Sequence, residues 1–161
     1  MPKKEYLDFN FNDISFRAIA IHTALSPALL AWHTDRILGT KFCILPEYFF
    51  AETKYGTSEH TQYYFREDEF GTEWWLLENQ GNKGLLLNVK PTPNMFLIGR
   101  ISEDDSAGAD WPDKLKAVQG MTTVYEMAQK EKKKMTWMAW LGEKKEGTKK
   151  EGEKKDEQRT V

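Results

Sequence analysis

Cysteine is almost missing from this chain. Cys43 is the single one in 161 residues, which excludes an intramolecular disulfide and any zinc site using two or more cysteines of this chain. Familiar catalytic signatures are missing too. There is no P-loop, no dinucleotide-binding glycine fingerprint, no Gly-x-Ser-x-Gly elbow and no His-Glu-x-x-His. No apolar run approaches the roughly 18 residues of a membrane helix, and no N-terminal apolar stretch looks like a signal sequence. The expectation is a cytoplasmic chain with no membrane span. Positive charge is not in excess either. Residues 1–142 carry 16 basic and 19 acidic side chains, so the surface as a whole does not favour polyanions.

What is present is one domain's worth of chain, 40% hydrophobic, followed by a stretch with almost nothing to bury. Residues 143–161 hold six Lys, one Arg, five Glu, one Asp and no aromatic residue. Such a segment cannot offset the entropy of ordering it, and its interspersed charges argue against a dedicated nucleic-acid arm. The expected organisation is a domain over 1–142 and a disordered Lys/Glu-rich tail over 143–161.

Within the domain, residues 14–22 are apolar on both faces of a strand, which suggests a central position in a sheet. Ser26 is a good helix N-cap, Pro27 suits the first helical position, and Gly39 supplies a stop. The helix between them carries Leu29, Leu30, His33 and Ile37 as its expected apolar stripe. Further strands are expected at 42–45, 60–66, 73–78, 85–89, 95–101 and 121–127. Residues 60–66 and 73–78 form a hairpin, and a second helix runs from Trp111 or Pro112 to about Val118, behind Asp110 as N-cap. The order β-α-β-β-β-β-β-α-β predicts an α+β fold. Its sheet is antiparallel or mixed, with five to seven strands and two main helices packed on one face.

The layout resembles that of the IPExxDY family, small proteins of Bacteroidota. The likeness rests on Met95-Phe-Leu-Ile-Gly-Arg-Ile101, then Leu115-Lys-Ala-Val-Gln-Gly120, then Thr123-Val-Tyr-Glu-Met127, with the strand and helix of residues 14–38 ahead of them. The name motif is altered here: residues 89–95 read Val-Lys-Pro-Thr-Pro-Asn-Met, and Ile44-Leu45-Pro46-Glu47 is a partial echo. The resemblance implies the fold and a bacterial, cytoplasmic setting. It brings no activity and no catalytic residues.

Each candidate for chemistry has a plainer reading. His22 and His33, with Cys43 or Glu47, contain ligand types for a metal, but no closely spaced ligand pair marks a site, and the plainer reading makes His33 a core histidine. Cys43 lies in the apolar run Phe42-Cys43-Ile44-Leu45, where a small buried hydrophobe is the expectation. Glu67, Asp68 and Glu69 sit at a hairpin tip, where solvated carboxylates keep ordinary acidity. No cofactor and no metal are expected.

Two clusters point to binding. Eleven of the 21 aromatic residues lie between Phe42 and Trp75. Strand alternation sets Tyr64 opposite in facing to Tyr63 and Phe65, and Trp74 opposite to Trp75. Helices cover one sheet face, and the other either exposes rings or is covered by the 48–57 loop and the Trp137/Trp140 segment. An exposed face bearing Tyr48, Tyr63, Tyr64, Phe65, Trp74 and Trp75 would mark a protein interface. Lys130, Lys132, Lys133 and Lys134, followed by Trp137 and Trp140, interleave basic and aromatic residues, as a nucleic-acid or membrane-surface element does. The leading expectation is a non-catalytic binding or adaptor module acting on a protein partner through an aromatic sheet face or edge. An RNA- or ribosome-associated protein is the alternative, and an enzyme with an unfamiliar site comes last.

Overall fold

A computed structural model describes residues 16–67, 71–101, 106–137 and 141–142. The charged tail, Trp140 and the carboxylates of Asp68 and Glu69 lie outside the described residues. The fold is α+β. Six strands form one sheet in the order β10 (Met121–Glu126), β1 (Phe16–Thr23), β9 (Met95–Arg100), β6 (Glu73–Glu78), β5 (Gln62–Arg66) and β2 (Cys43–Ile44), and every neighbouring pair is antiparallel.

β1 (Phe16–Thr23) and β9 (Met95–Arg100) are the apolar centre, and both are buried on both faces. α1 (Pro27–Leu38) follows β1. Ser26 caps it by accepting from the Leu29 N–H at 3.3 Å. Gly39 closes it in the left-handed region (φ 74°), donating its N–H to the Asp35 carbonyl. The chain then crosses to the far edge and enters β2 (Cys43–Ile44). The Asp35 carboxylate fixes this crossing by accepting from Thr40 Oγ1 at 2.8 Å and from the Phe42 N–H at 3.0 Å.

β5 (Gln62–Arg66) and β6 (Glu73–Glu78) form the expected hairpin. α2 (Trp111–Lys116) leads into β10 (Met121–Glu126), and a single helical turn, α3 (Gln129–Lys132), follows. α1 and α2 pack on the sheet face bearing Ile19, Ile21, Trp74, Leu76, Leu97 and Val124.

The opposite face is covered as well. β3 (Phe49–Thr53) and β4 (Gly56–His60) make a hairpin where the sequence suggests a loop. Phe49 and Ala51 from it, together with Leu86, Leu87, Met135, Trp137 and Leu141, bury Phe16, Trp75, Phe96 and Ile98. Little period-2 contrast marks β3, because its turn-side residues Glu52 and Thr53 are polar in succession.

The strand expected at 85–89 shrinks to β8 (Gly84–Leu85), paired with β7 (Gln80–Gly81). The buried Asn79 side chain explains this. Its amide donates to the carbonyls of Leu87 (3.1 Å) and Pro93 (2.9 Å), and its oxygen accepts from the Leu87 N–H (2.9 Å). The Leu87 backbone groups are thus taken up by a side chain, and no ladder continues past them.

α1 departs from its expected stripe. Leu30, Ala31 and Thr34 face the sheet, while Leu29 and Ile37 face solvent. The Thr34 hydroxyl is satisfied by the Leu30 carbonyl at 2.7 Å, so this polar residue is buried without cost to its hydrogen bonding. Cys43 also departs from its expected burial. β2 is an edge strand, so only Phe42 of that apolar run is buried, and Cys43 and Ile44 are exposed.

Candidate interaction surface

The sheet aromatics do not form an open platform. Trp74 is 1% exposed and Trp75 2%, and Tyr63 is buried. Trp74 lies against Trp111, with ring centroids 4.2 Å apart. A Cβ added at Gly99 or Gly108 would run into its indole, so these two glycines make the slot in which Trp74 sits. On the opposite face Trp75 packs against Tyr64 at 5.3 Å and under the Arg100 guanidinium, also at 5.3 Å. Leu141 and Gly142 close over it, held by an Arg100 Nη2 to Leu141 carbonyl bond of 2.8 Å.

Tyr64 is only half-buried, but its hydroxyl donates to Glu73 Oε2 at 2.6 Å. Burial first, then this bond, weakens it as an acid and pushes its pKa up to about 12. Phe65 is half-buried beside Phe42. Of the six aromatic candidates only Tyr48 is exposed. The expected aromatic face is therefore corrected: the β3–β4 hairpin and the C-terminal segment occupy it.

The basic/aromatic segment changes in the same way. Trp137 is buried and donates its indole N–H to the Leu86 carbonyl at 3.2 Å. Lys132 is turned inward, with Nζ 2.9 Å from the Phe16 carbonyl and 5.0 Å from the Phe16 ring centroid. Desolvation lowers its basicity. Lys130, Lys133 and Lys134 remain in solvent, and Trp140 lies outside the described residues. Trp137 is thus in the core and not a stacking surface beside the solvent-facing lysines.

Among the described residues no group of three or more His, Cys, Asp or Glu could hold an ion. His22 stacks on Tyr125, with centroids 5.9 Å apart, and His33 meets the edge of Trp32. His60 is fully buried. Its Nδ1 donates to the Glu78 carbonyl at 2.9 Å, and its Nε2 has no partner among the described residues. A groove of about 280 Å³, lined in part by Leu25, Pro27, Glu78, Thr92, Pro93 and Met95, carries the Glu78 carboxylate and the Thr92 hydroxyl.

What does reach solvent is a set of side chains that includes two members of the expected core stripe. Leu29 (44% exposed), Trp32 (52%) and Ile37 (40%) stand on α1. Their spacing of i, i+3 and i+8 places them on one side of the helix. The same stripe includes His33 and Arg36, whose guanidinium lies 4.8 Å from the Trp32 ring centroid. Ile44, 59% exposed, is directly opposite Tyr63 across the β2–β5 ladder and so lies on the helix side of the sheet. The signal available in the sequence was a helix with two apolar stripes in place of one. Only one of them can face a sheet.

No family model matches the chain, and no curated protein matches it significantly. Among the described residues, no helix is long and apolar enough to cross a membrane.

Proposed function

We propose that this chain is a non-catalytic adaptor that binds a protein partner through the solvent face of α1, with Ile44 at the sheet edge extending the contact. The supporting observation is the exposed stripe Leu29, Trp32 and Ile37 on a helix that already buries another stripe. A large apolar set left in water on a well-packed domain is the usual mark of an interaction surface.

The composition of the stripe fits that role. Trp and Arg dominate binding energy at interfaces, because a Trp ring buries a large area while ordering only two torsions. Arg36 and His33 hold the Trp32 ring in place before any partner arrives, which lowers the ordering cost of association. Asp35 ties the end of α1 to β2, so Ile37 and Ile44 move as one body. A partner with an apolar groove and an acidic rim to meet Arg36 suits this surface.

The test is affinity capture from the native host with the full chain, compared with a Trp32→Glu, Ile37→Asp double variant of the same fold by circular dichroism. Partner proteins bound by the wild type and lost by the double variant are the expected result. An unchanged partner set, or capture dominated by salt-sensitive RNA that Lys133→Glu abolishes, would overturn the reading.

A further inference from the structure

Among the described residues the β3–β4 hairpin shares no ladder with the six-stranded sheet, and its strands pair with each other alone. Register sets Phe49 opposite His60 and Ala51 opposite Ser58, and all four are buried. The hairpin is therefore a cover, laid with this side on the sheet face that holds Phe16, Trp75, Phe96 and Ile98. Its turn end is tied to the β7–β8 turn. Thr53 Oγ1 donates to the Lys83 carbonyl at 2.6 Å, Ser58 Oγ accepts from the Lys83 N–H at 3.1 Å, and Asn82 Oδ1 accepts from the Glu59 N–H at 2.8 Å. At its base His60 ties it to β6, through Nδ1 and the Glu78 carbonyl.

The His60 ring is poorly placed to carry a charge. Gly81 packs against Cε1 so closely that an added Cβ would run into it, and Nε2 has no partner among the described residues. The charged groups on the surrounding elements do not compensate. Glu59 alternates to the outer side of β4, and so does Thr57, to whose hydroxyl the Glu52 carboxylate is bonded. Glu78 alternates onto the helix side of the sheet with Trp74 and Leu76. Glu47, ahead of β3, is exposed, while Lys54 and Lys83 are cations at the turn end. Burial lowers the proton affinity of the ring, with partial opposition from the backbone of Glu78 and Asn79.

We propose that His60 is a latch: a proton taken up there frees the β3–β4 hairpin and uncovers the aromatic face beneath it, while the six-stranded sheet stays paired. A protonated ring gains water only if something moves, and the hairpin is the element whose departure breaks no rung of that sheet. It swings at Thr61, the one residue between β4 and β5. The result is a second apolar face, distinct from the α1 stripe and presented in acid only. Between the lowered closed-state value and the ordinary 6.5 of a solvated ring, each unit fall in pH favours opening by up to about tenfold.

The test is amide exchange of the full chain from pH 7.5 to 5, corrected for the pH dependence of exchange itself. Amides of residues 49–60 should lose protection by up to about tenfold per pH unit below 6.5, while those of β1 and β9 keep theirs. His60→Gln retains a donor for the Glu78 carbonyl and takes up no proton, so its hairpin should stay equally protected at both ends of the range. Loss shared equally with β1 and β9, no loss at all, or acid opening that persists in His60→Gln overturns the proposal. Where that variant does not fold, the His60 ring signal of the wild type decides. Protonation in step with hairpin opening is the expected result, and protonation with the hairpin closed overturns it.

Discussion

Trp74 and Trp75 lie side by side in β6, and Trp32 lies alone on α1. The first two come from the most aromatic stretch of the chain, and by density they are the natural candidates for contact with a partner. Yet they are the two largest side chains of the core, each slotted against a glycine and a second ring or cation. Trp32 has one exposed face and a cation set over its ring. The difference lies in what each element must cover. A central strand of a two-sided sheet buries both of its faces, so its aromatics go inside whichever way they point. A helix on a sheet buries one stripe only, and a second apolar stripe on it has no partner within the domain.

This contrast can be broken most severely at the buried end. Trp75→Ala should cost about 3–5 kcal/mol of stability, measured by denaturant unfolding, because the space under Arg100 and Leu141 cannot collapse fully. Asn79→Ala comes next, at about 2–4 kcal/mol, since it leaves the backbone N–H and C=O of Leu87 and the Pro93 carbonyl without their side-chain partner.

A smaller effect follows from pH. Burial lowers the proton affinity of His60 and of His22 in the folded state. The unfolded chain therefore binds more protons than the folded chain between the lowered folded value and the ordinary 6.5. Stability is complete above about pH 6.5 and declines as pH falls through the folded value. Unfolding midpoints followed from pH 7.5 to 5 should show this decline, and His60→Gln should flatten it even though the variant starts less stable. At the exposed end, Trp32→Ala should shift stability by no more than about 0.5 kcal/mol while removing most partner binding. A large stability loss there would place Trp32 with the core tryptophans and erase the distinction.

Much of the fold was legible from residue pattern. The double-sided apolar run of β1, the Ser26-Pro27 start, the Gly39 stop and the β5–β6 hairpin all follow from local chemistry that the tertiary structure leaves in force. The 85–89 strand was not legible, because one buried asparagine takes over the backbone of Leu87 from a distance of eight residues. The inward stripe of α1 was misread for a related reason. The helix carries apolar residues on two sides, the side with Leu30, Ala31 and Thr34 turns inward, and the larger Leu29 and Ile37 are left outside. The candidate surface was legible only in part. Alternation gave the facing of Trp74 and Trp75 correctly, but what covers a sheet face is a long-range matter. Here the β3–β4 hairpin with Met135, Trp137 and Leu141 covers it.

The claim that α1 presents the binding surface is tested most directly by photo-crosslinking in the native host from position 32, with position 55 as control. Tyr55 is at least as exposed as Trp32 but stands on the β3–β4 turn, away from the stripe. The account predicts covalent adducts with another protein from position 32 and none from position 55. No adduct from position 32, or the same adducts from both positions, would contradict it.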